Sequence, residues 1–439
     1  MLVKPRVGSY AVYEPPEEGW QGWEIRLSAL NAGLRSAGID VVEAPEAVCD
    51  PASCDRVAGW FESQKLDAMH ALIITWSFDH YSIQIQQRLK RPLAIRSIPG
   101  IRTGSLVGGM QLSNVLGDIE YPHKLFYGAL EQTEVSAQTV AFLKACTIQN
   151  RLIGANIAVI GRRTEGMTPT AVDELEILRL FGVRLLNYGL DEFNLLAAQI
   201  PSEQASAAWG EVKAGARQVL STDEHGLLTM QNYLALKELA QTQHLSAISM
   251  GSYPQCQGTM CLPLALLNEH GFPGGCEGDV NSTIAMLILS MLTDQPVHFG
   301  EMLEVDEPAN SLVTSHCGAG SPSLADENGY ILCPVRLANN GVCVRFTSKP
   351  GPITYLNLVG RKGNYRLCAL QGQAVPTGMV FEGNPLRFVL QTPFRHSWNK
   401  VVAGNFGHHW MSAYVHVAPI LQEFCSLASI QGVFPDLES

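Results

Sequence analysis

The chain has 439 residues, about three times the ~150-residue length of a single domain, so two or three domains are expected. Its 46% hydrophobic and 16% charged residues exclude a disordered chain and supply more than one core. Lys and Arg number 30 against 41 Asp and Glu, and the resulting net charge of −11 has the wrong sign for a nucleic acid or an anionic membrane as partner.

In chain order, the start runs into Glu14-Pro-Pro-Glu-Glu18 without an apolar signal core. A helix over 22–37, stopped by Gly38, precedes a short strand at 40–42. A helical stretch at 55–64 leads to the apolar strand 71–75, and 92–96 reads as a further buried strand. Short apolar strands separated by helices predict an open, mostly parallel sheet. A second unit of the same kind starts near Arg151. It has a strand at 155–160, a Gly-bounded loop at 161–167, a helix at 170–181, strands at 183–186 and 246–250, and helical composition over 201–241. The longest apolar run, 284–292, is about half of the ~20 residues a membrane span needs. After Asp326 short strands at 330–336, 342–346, 353–359, 365–370 and 388–390, separated by Gly, Asn and Pro, predict an antiparallel sheet or small barrel. The fold class expected is therefore α/β. Two flavodoxin-like or Rossmann-like domains, 1–150 and 151–305, precede a β-rich, barrel-like domain at 306–439. Eleven cysteines without a Cys-x-x-Cys pair read as reduced thiols, and a cytoplasmic protein follows.

The sharpest motif is Gly274-Gly-Cys-Glu-Gly-Asp279, followed by an apolar helix at 281–292 and a strand at 297–301. Twelve helical residues advance ~18 Å and a five-residue strand returns ~16 Å. Glu277 and Glu301 can therefore meet on the side of the sheet where open α/β sheets bind ligands. Two carboxylates together, without Lys or Arg, call for a divalent cation or a raised pKa. The alternative has Glu277 capping the helix and Glu301 solvated. Near the C-terminus, Asn405-Phe-Gly-His-His-Trp-Met-Ser-Ala-Tyr-Val-His416 places three histidines within nine positions. If it is helical from His409, then His409 and His416 share a face. A histidine with two acids gives a mixed N/O set suited to Mn²⁺; the alternative is a helix start packed on the core.

His316 lies in the loop Thr314-Ser-His-Cys-Gly-Ala-Gly-Ser321, where Cys317 is expected to point away from it. Gln255 and Gln257 follow the strand at 246–250 and can bond either hydroxyls or their own loop. Trp76, Trp20 and Trp23 offer flat faces that stack on sugars, although packing in a core is the commoner fate. Arg88, Lys90, Arg91, Arg96 and Arg102 read as a surface or interface group, with an anionic substrate kept open through Arg96 and Arg102. The loop 161–166 lacks the Gly-Lys-Ser/Thr ending of a phosphate loop.

Together these motifs resemble the L-fucose isomerase family and, more distantly, L-arabinose isomerase. Glu277 and Glu301, 24 positions apart, match the family's pair of acidic metal ligands; Asn405, His409, Tyr414 and His416 match its C-terminal Asn-x-x-x-His segment. Gln255 and Gln257 match a Gln-x-Gln loop, and Trp76 an aromatic after a first-domain strand. The chain is shorter than the L-fucose enzyme, and its second acid is Glu301 where that enzyme has Asp. The resemblance is dense over 250–320 and 395–425. It implies a metal-dependent aldose–ketose isomerase acting on a monosaccharide through an enediol, with Mn²⁺ or another divalent metal on Glu277, Glu301 and His409. Both glutamates would serve as ligand and acid/base. Asn405, Gln255, Gln257 and His316 would hold hydroxyls. Trp76 and Trp20 would stack on sugar, in a trimer- or hexamer-like homo-oligomer with sites between subunits. A deoxyhexose, a pentose and a sulfonated hexose all remain open as substrate. Competing classes are a metal-dependent sugar hydrolase or lyase and a non-catalytic sugar-binding protein on the same scaffold.

Overall fold

The computed structural model describes residues 4–438 and divides into two compact units, 4–151 and 152–438. The first is built on β1 (Arg6–Val12), β2 (Asp40–Glu43), β3 (Ala68–Ile73), β4 (Leu93–Ser97) and β5 (His123–Tyr127). They form a fully parallel sheet in the order β2-β1-β3-β4-β5, the flavodoxin-like order. All six residues of β3 are buried, as a strand covered by helices on both faces requires. The helices are α1 (Trp23–Ser36), α2 (Pro51–Glu62), α3 (Asp79–Leu89), α4 (Ser105–Asp118) and α5 (Thr133–Leu152). α2 starts on an Asp50/Ser53 capping box with Pro51 at its first position.

Trp20 follows β1 and stacks on Tyr13, with ring centroids 4.7 Å apart. Trp76 follows β3 and donates its indole N–H to Gln111 Oε1 at 3.0 Å. Both stand at the carboxyl ends of the two strands between which the strand order reverses. The basic group reads differently from its sequence. Arg96 is 1% exposed and donates to the Ala129 carbonyl, so it is no surface cation, because its register in β4 points it into the packed face. Arg102 is exposed, 4.0 Å from Glu18, and Arg88 is paired with Glu62 and Asp55.

The second unit opens with the same plan. β6 (Asn156–Ile160), β7 (Arg184–Tyr188), β9 (Ala247–Met250) and β10 (Gly274–Gly275) form a parallel sheet in the order β10-β9-β6-β7, with the short β8 (Gln218–Val219) apart from it. Around them lie α6 (Glu174–Phe181), α7 (Leu190–Ala198), α8 (Ser202–Gly215), α9 (Asp223–Thr242), α10 (Cys261–Glu269) and α11 (Val280–Ser290). The helix expected over 170–181 is shorter. A 3₁₀ turn at Thr168–Thr170 precedes it, and Asp173 caps α6 by accepting from two backbone N–H groups.

β11 (His298–Asp306), β12 (Ser311–Ser315), β15 (Gly351–Val359), β16 (Arg366–Val375), β17 (Leu386–Leu390) and β18 (His409–Ala413) are antiparallel neighbours in the order β15-β18-β11-β12-β17-β16. A β15–β16 pairing closes them into a barrel, and β19 (Gln431–Val433) adds parallel to β16. β13 (Ile331–Val335) and β14 (Asn340–Arg345) form a hairpin that β8 joins. The barrel interior is filled by Trp410, Tyr355, Phe388, Ile353, Leu312 and their neighbours. α12 (Phe394–Ala403) and α13 (Ala418–Leu427) complete the unit. The apolar α11 is buried on nearly every side, which a helix hydrophobic all round requires. It packs on β9 and β10 and also on β11, β15 and β18, joining the parallel sheet to the barrel wall. Among the described residues no helix is long and apolar enough to cross a membrane.

Candidate metal centre

The centre forms where the loop after β10 meets the outer wall of the barrel. Glu277 follows β10 with a left-handed φ of 62°, a conformation a non-glycine residue holds only when its surroundings enforce it. They do so here. The Glu277 N–H donates to Ser252 Oγ (3.2 Å), its carbonyl accepts from the Thr164 N–H (3.2 Å), and the Gly278 N–H donates to the Met250 carbonyl (2.9 Å). Asp279, not Glu277, caps α11, accepting from the Ser282 N–H at 3.0 Å and the Ser282 hydroxyl at 2.7 Å.

Glu301 arrives from the barrel. The expected five-residue return strand is the nine-residue β11, and Glu301 lies inside it rather than at its tip. It is directly opposite His409 of β18 and Ser315 of β12. Residues opposite one another in antiparallel strands share a face, so one rung of the ladder sets Glu301 beside His409. Trp410 and Met302, one step away, point into the barrel core. His409 is therefore in a strand, not a helix. His416 lies beyond that strand and binds the Gly372 carbonyl at 2.9 Å, away from the centre.

One ligand atom from each of Glu277, Glu301, His408 and His409 lies within 4.8 Å of the others. His409 is held from both sides: its Nδ1–H donates to Asp279 Oδ2 at 2.8 Å, and its Nε2 lies 3.1 Å from Glu277 Oε2. Burial opposes a proton on His409, yet the hydrogen bonds to Asp279 and Glu277 push its pKa up to about 10. Burial would raise Glu277, but the His409 hydrogen bond and the nearby His316 and His408 hold it below the ordinary glutamate value. His408 is depressed by burial and by the charge of His409. Phe299, on the same face as Glu301, forms a floor beneath the rings of His409 (4.8 Å) and His316 (5.1 Å).

His316, just past β12, is 4.0 Å from Glu277 Oε1. Its Nδ1 is 3.3 Å from Cys317 Sγ, so the two neighbours meet instead of pointing apart, because the strand has already ended at Ser315. Burial works against charge on His316, but Cys317, Glu277 and Glu301 raise it to about 9. Gln255 is exposed and Gln257 half-buried in the loop after β9, the loop whose Ser252 supports Glu277. Asn405 is exposed, four residues before His409, with its carbonyl taken by Arg366. Trp76 and Trp20 belong to the first unit. Sequence reasoning missed Asp279, His408 and Phe299. Asp279 was visible two positions after Glu277 at a helix entrance, whereas nothing in the sequence separates His408 from its neighbour.

Proteins of known activity resemble this chain over most of its length. No family model matches the chain. It is 25% identical to the sulfoquinovose isomerase of Priestia aryabhattai over 409 residues, 89% of this chain and 90% of that one. Identity is 25% over 344 residues to the sulfoquinovose isomerase of Alkalicoccus urumqiensis, 76% of each chain. It is 27% over 330 residues to that of Clostridium sp. (strain MSTE9), 71% of this chain and 73% of that one. The chain is an aldose–ketose isomerase. For this isomerase, two carboxylates and an oriented imidazole form a donor set of hard oxygens and borderline nitrogen, which suits Mn²⁺ and related divalent ions.

Proposed function

We propose that the chain is a metal-dependent isomerase of an aldose, a sulfonated hexose above all, working through an enediol. The observation that carries this reading is the meeting of Glu277 and Glu301 within 4.8 Å of His409, whose other nitrogen is held by Asp279. Glu277, Glu301 and His409 would hold Mn²⁺ or a similar ion. Such an ion, when bound, polarises the carbonyl and the adjacent hydroxyl of the substrate and so acidifies the C–H bond between them. Of the two glutamates, one takes the C2 proton and returns it to C1, and the other moves the hydroxyl proton. Glu277, kept ionised by the imidazoles around it, is competent as the base at neutral pH. His316, whose Nε2 lies 4.0 Å from Glu277 Oε1, offers an N–H to a substrate oxygen. Gln255, Gln257 and Asn405 supply further hydroxyl contacts. Trp76 and Trp20 supply a stacking face contributed across a homo-oligomer in the cytoplasm.

The test is to strip the protein with chelator, restore Mn²⁺, and follow ketose formation from sulfoquinovose and a panel of neutral aldoses. Activity should depend on the metal and leave the substrate's mass unchanged, which separates an isomerase from a hydrolase or lyase. Glu277→Gln should lower kcat by about 10²- to 10⁴-fold. Metal-independent turnover, or full turnover in Glu277→Gln, refutes the reading.

A further inference from the structure

A sulfonated sugar bound by its carbonyl end at the two glutamates presents an anion at its far end, in a chain whose net charge is −11. A cation standing about one sugar length from the centre would offset that charge. The candidates suggested by sequence, Arg96 and Arg102, belong to the first unit, and Arg96 is buried there.

The unit that contains the centre offers another pair. Three loops meet at the carboxyl ends of β6, β9 and β10: residues 161–167, 251–258 and 276–278. The seam between β6 and β9 is where the strand order of this sheet reverses, the crevice in which open α/β sheets take ligands. The loops are fastened together. The Thr164 N–H donates to the Glu277 carbonyl (3.2 Å), and the Thr164 hydroxyl to the Tyr253 carbonyl (3.3 Å). They approach so closely that a Cβ on Gly278 would lie 2.6 Å from Arg163 Cα, and one on Gly251 only 2.2 Å from the Arg162 carbonyl oxygen. Glycine at 251 and 278 is thus what lets the backbone of Arg162 and Arg163 seat against the turn that carries Glu277.

Arg162 and Arg163 are the only Arg or Lys residues in the three loops, and both are exposed. Neither is neutralised by a close partner. Arg162 stands 3.9 Å from Glu165, itself 88% exposed. Among the described residues no carboxylate comes within ion-pair distance of Arg163, whose guanidinium donates to the neighbouring Thr164 carbonyl at 3.4 Å. That carbonyl belongs to the residue whose N–H holds the Glu277 carbonyl, so the Arg163 guanidinium is tied through Thr164 to the turn that carries Glu277. A guanidinium fork presents paired N–H donors to two oxygens of a tetrahedral oxyanion.

Resting on the isomerase reading above, we propose that Arg162 and Arg163 form the subsite for the substrate's anionic group, and that they select a sulfonated over a neutral hexose. The experiment compares two sugars that differ in the sulfonate alone, sulfoquinovose and 6-deoxy-D-glucose, in the Mn²⁺-loaded protein. The variants are Arg162→Gln, Arg163→Gln, their double, Arg163→Lys, and Arg184→Gln as a charge control on the exposed start of β7. The ratio of kcat/KM for the sulfonated to the neutral sugar should fall about 10- to 100-fold in the double variant, mainly through KM. It should fall less in Arg163→Lys and hold in Arg184→Gln. Added salt should erode the wild-type preference and leave the double variant unmoved. A wild-type enzyme that favours the sulfonated sugar while the double variant keeps the full ratio overturns the subsite, as does a wild-type enzyme that isomerises the neutral sugar equally well. A wild-type enzyme that isomerises neither sugar overturns the isomerase reading and the subsite with it.

Discussion

Replacing Asp279 by Asn is the most informative single change at the centre, because it alters one proton while keeping the shape. In the wild type Asp279 accepts from the Ser282 N–H and hydroxyl and from His409 Nδ1–H at 2.8 Å. An asparagine keeps its oxygen on the Ser282 N–H, since Asn and Asp cap helices about equally well. Its NH₂ then faces His409 Nδ1 and donates to it. A metal must displace the proton from Nε2, the nitrogen 3.1 Å from Glu277. Asp279 then accepts the proton left on Nδ1, whereas the Asn NH₂ offers it no acceptor and holds the imidazole as the Nε2–H tautomer, which cannot ligate a metal. Loss of such an orienting carboxylate weakens metal binding by about 10- to 100-fold, or ~1.4–2.7 kcal/mol. The helix loses only the favourable charge at its N-terminus, ~0.3–1 kcal/mol. Calorimetric titration with Mn²⁺ and a thermal melt, made on Asp279→Asn and on Asp279→Ala, separate the two effects. Asp279→Ala should lose a further ~1 kcal/mol of stability as the cap goes. An Asp279→Asn protein that binds Mn²⁺ as tightly as the wild type refutes the orienting role.

The remaining predictions concern packing. His70 is fully buried in β3, and burial, with Arg96 adding, pushes its pKa down to about 3, so it is neutral when folded. The unfolded chain takes up that proton near pH 6.5, so His70 leaves stability untouched above that pH. It then erodes stability by about 1.4 kcal/mol per pH unit as pH falls towards 3. Urea unfolding between pH 7 and 4.5 should show a shallower acid slope, by about one proton, in His70→Leu; equal slopes would contradict the assignment. Gly278 has φ +68° and no room for a Cβ. Gly278→Ala should therefore lose at least ~1–2 kcal/mol and weaken Mn²⁺ binding as Glu277 shifts. Gly210→Ala, at a helical glycine with open space around it, should instead gain ~0.5–1 kcal/mol. Melts and Mn²⁺ titrations of both variants check this pair.

Much of the fold was legible because the strands of its first sheets are short apolar runs alternating with helices, the pattern of a parallel sheet covered on both faces. The strands at 71–75, 92–96 and 246–250 all correspond to strands of the two parallel sheets. β1 was missed, although it pairs with both β2 and β3, because Val-Gly-Ser-Tyr-Ala-Val mixes small, polar and apolar residues without a clear period. The distance argument brought Glu277 and Glu301 together, but it assigned Glu301 to the end of a strand in the open sheet. Periodicity identifies a strand and says nothing about its partners, and β11 pairs within the barrel. The segment from His409 read as helix because all five residues of β18 are buried. A strand covered on both faces loses the alternation that distinguishes it from a buried helix. The role of Asp279 depended on a contact across 130 positions, which no local pattern encodes.

The pairing of Glu301 with His409 across β11 and β18 also sets what this chain tolerates. Side chains on a strand swap sides with each step, so inserting or deleting one residue upstream within either strand would turn Glu301 or His409 towards the barrel's apolar filling. It would bring a neighbour such as Trp410 or Met302 out in its place. These two strands can drift in composition, but their length is frozen, and length variation in related chains belongs in the connecting loops instead.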